Sequence, residues 1–594
     1  MAEMKAPEAL WRRRFRAPRT TLPEWAADSP GRLLYASNHV GRWELFAWDL
    51  AASETRQLTD RREGTLNGHI EPRGERVWWY DDTDGDELGR WMTDAFDGSA
   101  RREAVPELGR AYSTGLELGQ SVAVVGGSTS AGSTIDVVND GGTRRIYNNA
   151  PESWLGGLSA NERLLCFHHA EHGDTRHAAL RVVDLDGATV GELWDGPGLG
   201  LESAGFSWAA DDERVLVSHE RSGFHRPMLW WPRDGRTRTF DLDLPTEIEA
   251  SWYPDGRALL LVHEHAGRSS LYRLELEPER LVELPTAPGT VSAAAARPDG
   301  DVWYLWSDAQ TPPEIRSVAA DGHAGEVVLR APGEASPGGV RYSDFEAGNV
   351  PAFVAEPATA RPHPTIFVIH GGPEAHDRDS FSPLVQAWVD HGFAVVLVNY
   401  RGSTGYGREW RDALTGNPGL TELADIAAVY DRVIGEGIAQ PGRVVLSGSS
   451  WGGYLTLLGL GLQADRWALG VAGVPVADYI AAYEDEMDPL KAYDRALFGT
   501  SPEEDPARYV ERSPLTFIAS VSVPVMILAG ANDPRCPIRQ IDNYIERLVA
   551  LGKPHEVLRF DAGHGSLRTD ERIRQVAAEL DFVARHLGTI PPLA

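Results

Sequence analysis

The stretch Val444-Val445-Leu446-Ser447-Gly448-Ser449-Ser450-Trp451-Gly452-Gly453-Tyr454 decides how the rest of this chain is read. An apolar run leads in and a helix-like run, Tyr454 to Leu460, leads out, so the segment spells strand, sharp turn, helix. Gly448 and Gly452 frame Ser450 as G-x-S-x-G, the pattern of a nucleophile elbow. Such a turn holds a serine in a strained backbone conformation with its hydroxyl exposed. The glycines remove Cβ atoms that would clash where strand and helix approach. The helix that follows aims its N-terminus at the place where negative charge develops during acyl transfer.

A serine hydroxyl needs a base, and the base needs a group to orient it. Downstream, an apolar run at 523–528 leads into Ala529-Gly530-Ala531-Asn532-Asp533-Pro534-Arg535, and a run at 555–559 leads into Asp561-Ala562-Gly563-His564-Gly565. Asp533 and His564 therefore fall just past two strand ends, in the chain order Ser, Asp, His of hydrolases. A turn-capping role is the plain alternative for Asp533. Asp561 competes as orienter but lies close to His564 in sequence. Upstream, His370-Gly371-Gly372-Pro373 matches the HGG-type loop that donates a backbone N–H to an oxyanion, which makes the N–H groups of Gly372 and Trp451 the candidate donors. A Gly-Pro turn is the alternative.

Around these motifs the second half alternates strands and helices. Strands are expected at 365–369, 394–398, 443–446, 468–472, 523–528 and 555–559, with helices at 383–391, 423–436 and 573–587. Ser382 as N-cap, Pro383 at the first position and Gly392 beyond the end delimit the first helix. This alternation predicts a doubly wound, mostly parallel sheet covered on both faces, with its site at the carboxyl ends of the strands.

The first half repeats. Turn-then-strand units begin their strands at Leu33, Val77, Val122, Leu164, Val215, Leu259 and Val302, at steps of 44, 45, 42, 51, 44 and 43 residues. Units of this size suit four-stranded propeller blades, and seven of them are expected. Acidic-Gly turns such as Asp186-Gly187 and Asp234-Gly235 close hairpins inside the units. Residues 1–28 are expected to form an N-terminal arm with a helix near Ala9-Leu10-Trp11, residues 29–337 a seven-bladed β-propeller, and residues 338–594 the catalytic domain. Two stretches tempt a metal reading. In His168-His169-Ala170-Glu171-His172, alternation along a strand sends His168 and His169 to opposite faces. In Asp82-Thr83-Asp84-Gly85-Asp86-Glu87 the glycine stands fourth, not sixth as a calcium-binding EF-hand loop requires. Polar loops are the preferred reading of both, and no metal or other cofactor is expected.

Composition narrows the partners. The chain has 594 residues and a net charge of −30, which disfavours the phosphates of nucleic acid. Two cysteines, Cys166 and Cys536, cannot build a disulfide framework, which fits a reducing compartment. Arg12, Arg13, Arg14 and Arg16 are followed by no apolar run, so neither an export signal nor a membrane span is expected and a cytoplasmic protein is. The sequence leaves self-association into a homo-oligomer open.

The motifs His370-Gly371-Gly372-Pro373, Asn399-Tyr400-Arg401-Gly402-Ser403 with Gly405-Tyr406-Gly407, Gly448 to Tyr454, Asn532-Asp533-Pro534-Arg535 and Gly563-His564-Gly565 resemble the prolyl oligopeptidase family of serine peptidases, closest to its acylaminoacyl-peptidase-like branch. The resemblance covers about residues 340–590. It implies an α/β-hydrolase domain paired with a propeller that screens substrates by size. It also implies that Arg535 contacts substrate carbonyl or carboxylate groups. Family branches that place a tyrosine hydroxyl in the oxyanion hole carry it on the loop occupied here by 370–373, which has none; backbone donors must serve.

Short peptides or small amides are the expected substrates, hydrolysed by an aminopeptidase-like exopeptidase. The alternatives are an acylaminoacyl-peptidase and an amidase or esterase of a small secondary metabolite. The lean to a free amine rests on Glu484-Asp485-Glu486. Asp488-Pro489 reads as an N-cap and first helical position, so these acids are expected in a loop on the catalytic edge. Glu484 and Glu486 could there pair with an α-ammonium group, or form a solvated acidic loop.

Overall fold

The computed structural model describes residues 8–82 and 84–588. In the second half, eight strands make one sheet in the order Tyr342–Ala347, Val350–Ala355, Ala394–Val398, His363–Ile369, Ala439–Ser449, Leu469–Gly473, Val525–Gly530, His555–Phe560. The first two strands pair antiparallel and Val350–Ala355 joins Ala394–Val398 antiparallel; every later pairing is parallel. Parallel strands need helical crossovers, and the apolar periodicity of the intervening segments supplies them. Leu420–Gly435, Trp451–Leu462 and Ile538–Ala550 pack one face around Leu446, Ile426 and Ile541. Pro383–Asp390 and Thr569–Leu587 pack the other around Trp388, Val445 and Val576. The Ser382 hydroxyl caps the first of these helices by accepting the Val385 N–H at 3.3 Å.

In the first half the periodic residues mark the second strand of each four-stranded unit, which is the most deeply buried. Leu164–His169 is buried at every position, and Val215–His219 and Val302–Ser307 nearly so. These strands are sandwiched between neighbouring blades, which is why they read as continuous apolar runs rather than alternating ones.

The expectation of seven separate blades is corrected. Five four-stranded sheets stand alone, and the strands between Gly68–Ile70 and Gly142–Asn149 form one sheet of eight. The cause is a short edge. Arg102–Glu103, the fourth strand of its unit, is two residues long and covers only Met92 and Thr93 of Leu88–Ala95. The uncovered end pairs instead with the next unit, Leu88 with Tyr112 and Gly89 with Ala111. A β-propeller is the architecture; the repeat overcounts its separate sheets.

The N-terminal helix runs Leu10–Arg16 and belongs with the second half: Trp11 and Phe15 are buried among Trp388, Phe393 and Val583. Arg14 donates to the Gly338 carbonyl at 2.8 Å and pairs with Asp390. Among the described residues no helix is long and apolar enough to cross a membrane.

Candidate active site

Ser450 sits between the strand Ala439–Ser449 and the helix Trp451–Leu462 at φ 58°, ψ −121°, a conformation that L-residues rarely adopt. The neighbouring glycines explain how the turn closes. A Cβ on Gly448 would lie 2.6 Å from the Gly452 carbonyl, and one on Gly452 would lie 2.0 Å from the Ile369 carbonyl oxygen. No side chain fits at either position, so the elbow is written into the sequence by steric exclusion.

Asp533 follows the strand Val525–Gly530 by three residues and is buried. Its Oδ1 accepts the N–H groups of Arg535 and Cys536, each at 2.9 Å. Its Oδ2 lies 2.8 Å from His564 Nδ1, four residues past His555–Phe560. The backbone thus fixes the carboxylate, and the carboxylate fixes the imidazole with its Nδ1–H donating and Nε2 free. Asp561, the competing orienter, faces outward and pairs with Arg62 of the propeller.

The loop His370–Pro373 lies against the elbow. A Cβ on Gly371 would stand 3.3 Å from Ser450 Cβ and 3.8 Å from Trp451 N. His370 is a scaffold for this loop. Its ring stacks on Tyr400 at 4.2 Å, Nδ1–H donates to the Gly371 carbonyl at 2.8 Å, and Nε2 faces the Ser403 hydroxyl at 2.9 Å. Burial lowers its pKa to about 4, so the ring is neutral near pH 7. Trp451 is held from the other side: its indole N–H donates to Glu422 at 3.2 Å, and Glu422 also accepts the Gly419 N–H at 2.8 Å. Burial pushes the Glu422 carboxyl up to about 7.

An elbow serine, an Asp–His pair and a two-glycine loop on one edge of a mostly parallel sheet invite comparison with known proteins, and residues 379–589 match the prolyl oligopeptidase family. The chain carries a prolyl oligopeptidase family domain. It is 33% identical over 236 residues to dipeptidyl peptidase family member 6 of Caenorhabditis elegans, covering 39% of this chain and 32% of that protein. It is 26% identical over 432 residues to the acylamino-acid-releasing enzyme of Rattus norvegicus, covering 69% of this chain and 53% of that one. The chain thus spans about a third to a half of the length of these relatives. A solved puromycin hydrolase superposes with a TM-score of 0.81 at 22% identity, over 99% of this chain and 98% of that one.

Above the prolyl oligopeptidase domain, the propeller closes a cavity of about 380 Å³ lined by His564, Arg535, Asp82, Glu87, Tyr112 and Met487, among others. Asp82, Gly85 and Glu87, from an acidic turn of the propeller, line its upper side. Gly85 packs on Gly563 so closely that a Cβ on Gly563 would meet the Gly85 carbonyl oxygen at 1.7 Å. The side-chain amide of Asn532 donates to the Asp84 carbonyl at 3.3 Å. Glu87 grips Arg535 bidentately at 2.7 and 2.9 Å. The turn therefore serves as an interdomain contact, and Arg535 faces the cavity as half of an ion pair.

The acidic segment 484–486 lies elsewhere than expected. Glu484 and Asp485 end the helix Tyr479–Asp485 and are both bound by Arg539 on the surface. Glu486 is 6% exposed, and burial with Asp494 nearby raises its pKa. Neither Glu484 nor Glu486 lines the cavity that holds His564. Met487, not Asp488, is the N-cap of the next helix, Asp488–Phe498. The histidine-rich stretch is divided as alternation requires. His168 Nε2 accepts the Ser203 N–H at 3.0 Å inside the propeller, and His169 lies toward His172 and Glu192. Sequence reasoning did not single out Glu422, Glu87 as the partner of Arg535, or the interdomain cluster around Arg176. For Glu422 a signal existed: a glutamate three residues after the N-cap Gly419 can accept the N-cap N–H, the half of a capping box that a glycine allows.

Proposed function

We propose that this protein is a serine hydrolase that cleaves amide bonds of short peptides or aminoacyl compounds, acting as an aminopeptidase-like exopeptidase. The observation that carries the reading is an Asp533–His564 pair at 2.8 Å on the same sheet edge as an elbow serine of left-handed φ. In this mechanism Ser450 Oγ attacks the substrate carbonyl carbon while His564 Nε2 takes its proton. Asp533 stabilises the imidazolium. The N–H groups of Gly372 and Trp451 donate to the oxyanion. His564 then returns the proton to the leaving amine, the amide bond breaks, and water releases the acyl group by the same steps reversed. We assign residues 1–28 to an arm, 29–337 to a propeller that gates substrates by size and 338–594 to the catalytic domain, with Arg535 at the substrate. Two buried free cysteines suit a reducing compartment, and we assign the protein to the cytoplasm.

Two other readings have a specific observation each. The rat relative's name favours release of an acylated amino acid, and the solved puromycin hydrolase favours a small aminoacyl amide. Glu484 and Glu486 lend the free-amine preference no support from where they lie, so substrates must decide it. Purified protein should be labelled at Ser450 by a fluorophosphonate and should turn over aminoacyl anilides faster than their N-acetylated forms. Faster cleavage of the acetylated forms would overturn the aminopeptidase reading and leave the acylaminoacyl one; no labelling at Ser450 would overturn the hydrolase itself.

A further inference from the structure

Gly372, one of the two oxyanion donors assigned above, sits on a loop whose two ends are held differently. The entry, His370-Gly371, is fixed within the catalytic half by Tyr400, Ser403 and the elbow. The exit turns sharply: Gly372 has φ 123°, and the Ala375 N–H donates to the Pro373 carbonyl at 2.8 Å. Glu374 leaves this turn with its carboxylate pointing across the domain boundary. There Arg176 Nε–H donates to Glu374 Oε1 at 2.6 Å, and the Tyr493 hydroxyl donates to the same oxygen at 3.2 Å.

Arg176 belongs to the propeller, in the turn between the strands Leu164–His169 and Ala179–Asp184. Its side chain is 1% exposed, and its three nitrogens reach three different partners of the catalytic half. Besides Glu374 these are the Thr415 hydroxyl at 2.9 Å and Asp412 at 3.1 Å. Its own backbone is held by Asp174, whose carboxylate accepts the Arg176 N–H at 2.8 Å. A planar guanidinium fixed at all three corners is a rigid strut, unlike a lone surface pair. Close by, Glu220 of the propeller pairs with Arg411 across the same boundary without touching Glu374.

We propose that Arg176 is a positioning residue for the reaction: by holding Glu374 it sets the Gly371-Gly372 loop, so that the propeller completes the oxyanion hole. This rests on the serine-hydrolase reading above. The loop is short and Gly372 lies two residues from Glu374, so a shift of the carboxylate carries to the Gly372 N–H. Losing an oxyanion donor outright costs on the order of 10²–10³ in kcat. A donor displaced but still present should cost less, roughly 10- to 100-fold.

The test uses the full chain and a small aminoacyl anilide. Arg176→Gln and Glu374→Gln should each lower kcat by roughly 10- to 100-fold with KM changed less than about threefold, and the double variant should be no slower than the slower single one. Glu220→Gln breaks the neighbouring interdomain pair and leaves Glu374 held, so it should keep kcat within about twofold. Should Arg176→Gln fail to fold, Glu374→Gln decides alone, because its carboxamide keeps the shape of the site. An unchanged kcat in Glu374→Gln overturns the proposal, as does an equal loss in Glu220→Gln, which would make Arg176 a domain fastener only. Fluorophosphonate labelling of the unmodified protein at Ser450 separates these outcomes from failure of the hydrolase reading: without it that reading falls, and with it only the role of Arg176 is in question.

Discussion

Replacing Asp533 by asparagine should cost about 10⁴ in kcat, and the hydrogen bonds around the carboxylate say why. Oδ1 accepts two backbone N–H groups, from Arg535 and Cys536, and lies 3.0 Å from His564 Nδ1, whereas Oδ2 makes the shorter imidazole contact at 2.8 Å. An asparagine must keep its carbonyl oxygen toward the two N–H donors, because turning the amide over would set its NH₂ against them in a buried site. The NH₂ then faces His564 Nδ1 and donates to it. Nδ1 becomes the acceptor, the proton moves to Nε2, and the imidazole no longer has a lone pair to take the proton of Ser450. Side-chain volume and packing are unchanged, so the fold stays and the loss is one of tautomer. A factor of 10⁴ is about 5 kcal/mol of barrier. The assay is steady-state hydrolysis of an aminoacyl anilide at neutral pH, with thermal unfolding as the control. Asp561→Asn is the matched comparison; its carboxylate faces Arg62 on the surface and should leave kcat within about twofold. Asp533→Asn retaining more than a tenth of the activity, or Asp561→Asn losing more, would refute the assignment.

Further outcomes are expected. Ser450→Ala should lower kcat by about 10⁴–10⁶ and abolish fluorophosphonate labelling while leaving the unfolding curve in place; near-normal turnover would sink the nucleophile. Glu87→Gln should release the Arg535 guanidinium into the cavity and lower KM for substrates bearing a free carboxylate by about tenfold, the worth of one charge-assisted hydrogen bond. An unchanged KM would place Arg535 outside the substrate's reach. His177 gives a pH dependence. Burial alone would lower its pKa, but hydrogen bonds to Asp174 and Asp412 outweigh burial and raise it from 6.5 to about 9. A folded-state pKa above the unfolded one means that this stabilisation is complete below about pH 6.5 and is lost as pH rises through about 9. The thermal midpoint should therefore fall between pH 7 and 10, and His177→Gln should flatten that fall; equal slopes in both proteins would exclude His177 as its source.

Much of the site was legible because local rules wrote it. Gly448 and Gly452 stand where any Cβ would collide, so the elbow declares itself in five residues. Ser382, Pro383 and Gly392 bracket a helix by capping chemistry. Asp533 and His564 follow two adjacent parallel strands, Val525–Gly530 and His555–Phe560, by three and four residues, and that placement brings them to one edge. The repeat of about 44 residues announced a propeller, because each second strand is buried between blades and must stay apolar.

The tertiary structure decided what depends on partners far along the chain. A fourth strand of only two residues, Arg102–Glu103, merged two units into one sheet; period counting sees the unit and not the coverage of its edge. Glu484, Asp485 and Glu486 read alike as neighbours, yet a single residue step at the end of a helix separates two surface carboxylates under Arg539 from a buried one. Glu87 and Arg535 lie 448 positions apart, and Arg176 and Glu374 lie 198 apart. In the sequence Arg535 stands out by its motif, but Glu87, Arg176 and Glu374 are each one more charge on a chain of net charge −30, and a solvated surface is the ordinary reading. Periodicity and turn chemistry act over a few residues and fix elements. Which charges lose their water is decided only when the propeller closes on the catalytic half, and no local pattern records that event.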